Sequence, residues 1–342
     1  MINNTDEQYK KLINKILETG NVKRDRTGVG TKSLFGEQLV YDLSEGFPIL
    51  TLRRIHLRSV IHELLWFLGA YDQNKWGIFG NTNIRYLLDN GVSFWTEWPY
   101  QKYLKMMKYR PELPHLNIKE FEEKIKIDDE FALEFGSIGK GYGKQWLDFG
   151  GETPEKTGVN QITQIMELLK KDPDSRRIML NSWNPTDINS MLLPPCHYGF
   201  QLYTNKINHS ERIKLFSNSN KEILTPDTME LFPERRISMI LNQRSCDLYL
   251  GNPFNVAEYA LLLHMIASVS NMIPDKLIVN LGDVHLYNNS IDAANQLLKR
   301  DSYPLPILKL NENIKNIYDF RYEDIIIDNY KYHPNIHVDV AV

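Results

Sequence analysis

Apolar positions recur at helical spacing over residues 5–20, where Tyr9, Leu12, Ile13, Ile16 and Leu17 fall on one face. A threonine before them and a glycine after them predict the ends of that helix. Residues 24–31 form a polar, glycine-containing loop, and strand-like sequence follows as far as residue 51. From residue 55 to 69 the apolar residues cover most of a helix circumference, which predicts a buried helix. Residues 159–171 predict an amphipathic helix. The apolar runs near 177–180, 198–203 and 237–250 predict strands. Two more helices are predicted over 256–272, almost wholly apolar, and 286–299. Polar stretches near 100–134 and 205–234 interrupt this pattern and read as insertions. Strands and helices are interspersed without regular βαβ alternation, so a single α+β domain over 1–342 is expected, with a mixed sheet flanked by helices.

Composition narrows the function. The chain has 342 residues and a formal charge of −3, which gives no global attraction to DNA, RNA or an anionic membrane. There is no apolar run of transmembrane length and no signal-peptide pattern at the start, so a cytoplasmic protein is expected. Cysteine occurs only twice, which excludes a disulfide scaffold and a cysteine-rich zinc site. An HExxH or clustered-carboxylate motif is absent, and no metal is expected.

Cys196 lies in LPPCHY (193–198), at a rigid strand edge beside His197. A free cysteine is usually a small buried hydrophobe, but a thiol beside a histidine in a reducing compartment is also a candidate nucleophile. Cys246, inside a strand, reads as structural. Arginines cluster at Arg24 and Arg26, at Arg176 and Arg177, and at Arg244 beside Ser245. The last interrupts an apolar strand, and a charge there demands a partner. Phosphate is a natural one, because guanidinium binds it bidentately. Glu63 sits within an apolar helix, either at its exposed edge or buried with a raised pKa suited to proton transfer. Asn255 begins a buried helix, as its cap or as an amide that reads a base edge.

Taken in order, DRTGVGT (25–31), HLRSVIHELLWFLGA (56–70), GVSFWTEW (91–98), YGKQW (142–146), DSRRIMLNSWNP (174–185), LPPCH (193–197), QRSCDLYLGNPFNVAEYALL (243–262), LGDVHLY (281–287) and the terminal AV (341–342) resemble the thymidylate synthase family across nearly the whole chain. The resemblance implies reductive methylation of dUMP to dTMP by a methyltransferase. Its one-carbon and hydride donor would be 5,10-methylenetetrahydrofolate, a co-substrate, with no flavin or metal. Cys196 is then the nucleophile for C6 of dUMP, its thiolate favoured by Arg244. Glu63 would be the acid–base group, Tyr142 would act in removing the C5 proton with His197 nearby, and Asn255 would bind O4 and N3 of uracil.

The implied dUMP ligands are Arg26, Gln243, Arg244, Ser245, Asp247, Asn255, His285 and Tyr287. Arg176 and Arg177 are donated by the second subunit of a homodimer. The implied folate side comprises Arg53, Trp95, Trp98, Asp247, Leu250, Gly251 and Phe254, with Ala341 and Val342 as a closing lid. Arg53 stands where the family commonly carries lysine, and GKGYG (139–143) departs from the usual loop. A dUMP hydroxymethylase would share every step until water replaces hydride. Trp95 and the terminal AV argue for methylation, because both would keep water out.

Overall fold

The computed structural model describes residues 3–24, 27–70, 81–153, 156–218 and 225–339. A six-stranded sheet organises them: β1 (Asn21–Lys23), β2 (Thr31–Asp42), β3 (Met179–Asn181), β4 (His197–Lys206), β5 (Arg235–Asp247) and β6 (Ile273–Tyr287), in the order β1-β2-β6-β5-β4-β3. Only β5 and β6 pair in parallel. The helix Asn252–Val269 makes that possible, because a parallel pair needs a crossover connection and this helix supplies it. A second, two-stranded sheet pairs β7 (Ile307–Leu310) with β8 (Ile325–Asp328). The fold is the α+β arrangement expected, a mixed sheet with helices packed on it.

Alternation along the strands decides which face the helices cover. Leu39 and Tyr41 of β2, Leu277, Val279 and Leu281 of β6, and Ile237, Met239 and Leu241 of β5 are buried. The helices Asn4–Thr19 and Asn252–Val269 pack on these strands, and Leu57–Phe67 packs on the latter helix. The opposite face carries Val40, Ile278, Ile240, Gln201 and Met179 in one register across β2, β6, β5, β4 and β3. The row beside it is polar. Gln38 donates to Asn280 at 2.8 Å, and Asn280 donates to Asn242 at 3.0 Å. In the single chain this face is partly open: Met179 is 53% exposed and Tyr203 66%.

Several boundaries differ from the expectations. The first helix is capped by Asn3, whose side chain accepts from the Asp6 N–H at 3.0 Å; Thr5 lies inside the helix and is buried. β6, the longest strand among the described residues, has no counterpart in the local apolar spacing, and its pairing of Leu286 with Lys32 and Tyr287 with Thr31 delays the following helix to Ile291–Leu298. The 100–134 stretch is mostly helical, as Glu97–Met107, Ile118–Ile127 and Asp129–Phe135. These helices enclose an aromatic cluster, with the Phe131 and Phe135 rings 4.7 Å apart and Tyr103 packed edge-on to Phe135 at 5.1 Å. The 205–234 stretch begins as the end of β4 and continues into the helices His209–Asn218 and Pro226–Leu231. Among the described residues, no helix is long and apolar enough to cross a membrane.

Candidate active site

Cys196 immediately precedes β4 and is half-buried, whereas Cys246 is buried and its thiol pKa is pushed far up by desolvation. Four hydrogen bonds fix the segment that carries Cys196. Arg244 donates from Nε to the Pro195 carbonyl and from Nη2 to the Pro194 carbonyl, each at 2.9 Å. The backbone N–H of Arg244 donates to the Cys196 carbonyl at 2.9 Å. The Cys196 N–H donates to the Tyr142 hydroxyl oxygen at 2.9 Å. The charge in β5 that demanded a partner therefore finds prolyl carbonyls within the chain. The guanidinium also lies over the Trp183 ring, 5.3 Å from its centroid, and Arg244 remains exposed.

Tyr142 adopts a φ of 36°, a conformation uncommon for a side-chain-bearing residue. Its ring stacks on Phe67 at 5.1 Å and lies 4.5 Å from the His197 ring. Gly139 makes the loop possible: its φ is 83°, and an added Cβ would lie 2.1 Å from the Ser190 carbonyl oxygen. Burial raises the Tyr142 phenol well above its ordinary range, and the neighbouring Cys196 adds to that shift. His197 is held through Nδ1 at 2.7 Å from the Tyr259 hydroxyl. Desolvation lowers its pKa to about 3, so the imidazole is neutral at neutral pH.

Glu63 resolves in favour of the buried alternative. It is 5% exposed, and burial raises its pKa to about 8, while the Trp95 indole N–H, donating to Oε1 at 2.6 Å, opposes the shift. Trp95 belongs to an aromatic wall with Trp98 at 5.2 Å and Phe94 at 6.1 Å, and Phe94 continues to Phe254 at 6.4 Å. Phe94 is 43% exposed, so the wall presents apolar surface to solvent.

Asn255 is not the helix cap, because Gly251 occupies that position and the helix begins at Asn252. The Asn255 amide is instead oriented from β5: Gln243 Nε2 donates to its Oδ1 at 2.9 Å. Asp247, at the end of β5, accepts from the N–H groups of Tyr249 and Leu250 at 3.0 and 3.1 Å. Burial raises its carboxyl pKa. Leu250 and Gly251 form the half-buried turn into the helix. β6 aligns beside this end of β5, pairing Ser245 with Asp283 and Asp247 with His285. The His285 ring meets Tyr287 edge-on at 5.1 Å.

Arg53 is buried, donates to the Tyr249 carbonyl and lies over the Tyr249 ring at 5.0 Å. Arg176 and Arg177 stand exposed in the segment before β3. The structure gives them no contact with Cys196, Glu63 or Asn255 among the described residues. Arg26, Ala341 and Val342 lie outside the described residues.

Three participants were missed by sequence reasoning: Trp183 against Arg244, Tyr259 as the partner of His197, and Glu258. A carboxylate within the apolar run of residues 256–263 was a legible signal, of the same kind that singled out Glu63.

The arrangement joins a half-exposed thiol, a buried acid, an oriented carboxamide and an open aromatic wall. That set suits conjugate addition to a heterocycle, with proton transfer at its carbonyl and a flat second ligand alongside. The family model described as "Thymidylate synthase" matches residues 7–342. The chain is 42% identical to the thymidylate synthase of Mycoplasma mobile, over 98% of this chain and all of that protein. It is 41% identical to that of Malacoplasma penetrans and 37% identical to that of Mycoplasma pneumoniae, with the same coverage.

Proposed function

The chain belongs to the thymidylate synthase family and converts dUMP to dTMP with methylenetetrahydrofolate, and from that premise we propose which of its residues carry each step. Cys196 is the nucleophile. Its sulfur bonds to C6 of the uracil ring, and the C5–C6 π electrons move toward C5 and O4. Glu63 delivers a proton to O4, which neutralises the developing charge. Asn255, fixed by Gln243, binds the O4 and N3 edge, where a carboxamide offers one donor and one acceptor. The folate supplies a one-carbon unit and then a hydride. After C5 has acquired the carbon, Tyr142 assists loss of the C5 proton with the neutral His197 nearby. Expulsion of the Cys196 thiolate restores the ring.

The observation that carries the nucleophile assignment is the anchoring of the Cys196 segment by four hydrogen bonds with Arg244 and Tyr142. Such fixation serves a reacting atom, which must be held in a near-attack position. Ser245, His285 and Tyr287 follow on adjacent strands as ligands of the phosphate and sugar, with Arg26. The reduced folate, 5,10-methylenetetrahydrofolate, fits the wall of Trp95, Trp98 and Phe254, because a flat pterin needs an apolar surface. Asp247, Leu250 and Gly251 serve the pterin, Arg53 receives the glutamyl side, and Ala341 with Val342 closes over the folate. A free thiol is kept reduced most readily in a reducing compartment such as the cytoplasm, which is the location we infer.

The partly open sheet face supports a homodimer in which two such faces meet. Arg176 and Arg177, exposed beside this face in one chain, then reach the phosphate in the partner's site. Cys196→Ala tests the central assignment: dTMP formation is expected to vanish while dUMP binding, measured by calorimetry, persists. Retained turnover in that variant would remove Cys196 from the mechanism.

A further inference from the structure

The helix Asn252–Val269 carries a second carboxyl that the steps above leave unused. Glu258 is 1% exposed, and neither of its carboxyl oxygens has a hydrogen-bond partner among the described residues. It follows Asn255 by three residues, so the two side chains are neighbours along one face of the helix. The next residue, Tyr259, holds His197. The same helix packs against Leu57–Phe67, which carries Glu63. A carboxyl in such surroundings is costly to bury, and far more costly when charged. Burial therefore holds Glu258 well above the usual carboxylate range, and the Glu63 charge pushes it further.

Titratable and charged side chains stand on every element packed against this helix. They are Arg58, His62 and Glu63 on Leu57–Phe67, Arg235, Arg236, Arg244, Cys246 and Asp247 on β5, Asp275, Lys276, Asp283, His285 and Tyr287 on β6, His197 on β4, Lys144 on Gly143–Leu147, and Tyr318 and Asp319 on the short turn Ile317–Asp319. Tyr259 and His264 share the helix itself. Among these, Glu63 is the charge that acts on Glu258. Coupling between two sites is reciprocal, so both acids do not ionise together, and Glu258 keeps its proton when Glu63 loses one.

We propose that Glu258 is a positioning residue for Glu63, a buried carboxyl on the helix packed against it whose O–H stabilises the Glu63 carboxylate each time Glu63 passes its proton toward the uracil ring. The O–H bond of Glu63 breaks and its proton goes to O4. Glu258 donates a hydrogen bond to the resulting anion through one water and retains its own proton. When O4 releases its proton, Glu63 takes it back and the cycle closes without an external acid. This inference rests on the assignment of Glu63 as the proton-transfer group.

The full-length enzyme with Glu258→Leu or Glu258→Gln provides the test. Leucine removes the donor and suits an apolar helix, so the variant is expected to fold. Its kcat at neutral pH should fall about tenfold and the pKa of Glu63 in the kcat profile should rise by about one unit, with KM for dUMP unchanged. Glutamine, whose amide can donate, should restore the profile. Infrared spectra of the Glu63→Gln enzyme should show a protonated carboxyl band that disappears when Glu258→Leu is added. A leucine variant with wild-type kcat and pH profile would overturn the proposal, as would a downward pKa shift. Equal losses in both variants, with reduced thermal stability and an unmoved profile, would also overturn it by showing a packing role. Full activity in Glu63→Gln would instead remove the Glu63 assignment on which the inference stands.

Discussion

Trp95 donates its indole N–H to Glu63 Oε1 across 2.6 Å, and its ring lies edge-on to Tyr142 with centroids 5.7 Å apart. One side chain thus belongs to the aromatic wall, restrains the buried acid and touches the tyrosine that anchors Cys196. A ligand placed against the wall would act on the proton-transfer group through a single residue.

Trp95→Phe keeps the ring and loses the donor. Burial raises the pKa of Glu63 to about 8 and the indole hydrogen bond opposes that rise, so its loss should move the pKa higher still. The basic limb of the kcat profile should shift to higher pH. A limb that stays in place would show that Glu63 does not govern it.

Glu63 also links stability to pH. Its folded pKa lies above the unfolded value of about 4.5, so its stabilising contribution is complete below that value and is lost as pH rises toward about 8. Glu63→Gln should therefore flatten the decline in unfolding free energy over that window, as read by denaturant titration. Glu258 contributes with the same sign and remains in the variant, so the slope should diminish without vanishing. An unchanged slope would contradict the buried neutral state.

Arg244→Lys tests the anchoring of the Cys196 segment. A lysine keeps the charge but cannot span the carbonyls of Pro194 and Pro195 as a planar fork does. Turnover should fall on the order of a hundredfold, the scale typical of a misplaced reacting group. The rate of Cys196 alkylation by iodoacetamide should change with it. A lysine variant within error of wild type in both measurements would show that charge alone suffices.

Shared sites predict complementation. A Cys196→Ala protomer mixed with an Arg176→Ala/Arg177→Ala protomer should regain activity, because one of the two sites in each heterodimer is intact. Continued inactivity despite demonstrated subunit exchange would place the arginine pair outside the partner's site.

The elements legible in the sequence were those whose burial is written locally. The helix Leu57–Phe67 and strand β5 announce themselves through apolar spacing. β6 does not, because Pro274, Asn280, Gly282 and Asp283 break its apolar run, and its pairing with β2 is a long-range contact that local periodicity cannot carry. The site shows the same division. Cys196, Glu63 and Asn255 stand out as chemical types in unusual surroundings, but the contacts that orient them join distant residues. Tyr142 reaches the Cys196 N–H across 54 positions, and Arg244 grips Pro195 across 49. Gly139 and Tyr142 sit in a loop whose backbone is set by the contact with Ser190, which the altered GKGYG motif alone does not reveal.

Product analysis of one reaction is the sharpest test of this chemistry. Purified enzyme is incubated with dUMP and 5,10-methylenetetrahydrofolate, and the 5-substituent and the folate product are identified together by mass spectrometry. dTMP and dihydrofolate are expected in equal amounts, with neither formed by the Cys196→Ala enzyme. Formation of 5-hydroxymethyl-dUMP with tetrahydrofolate by the intact enzyme, or of dTMP by the Cys196→Ala enzyme, would contradict that expectation.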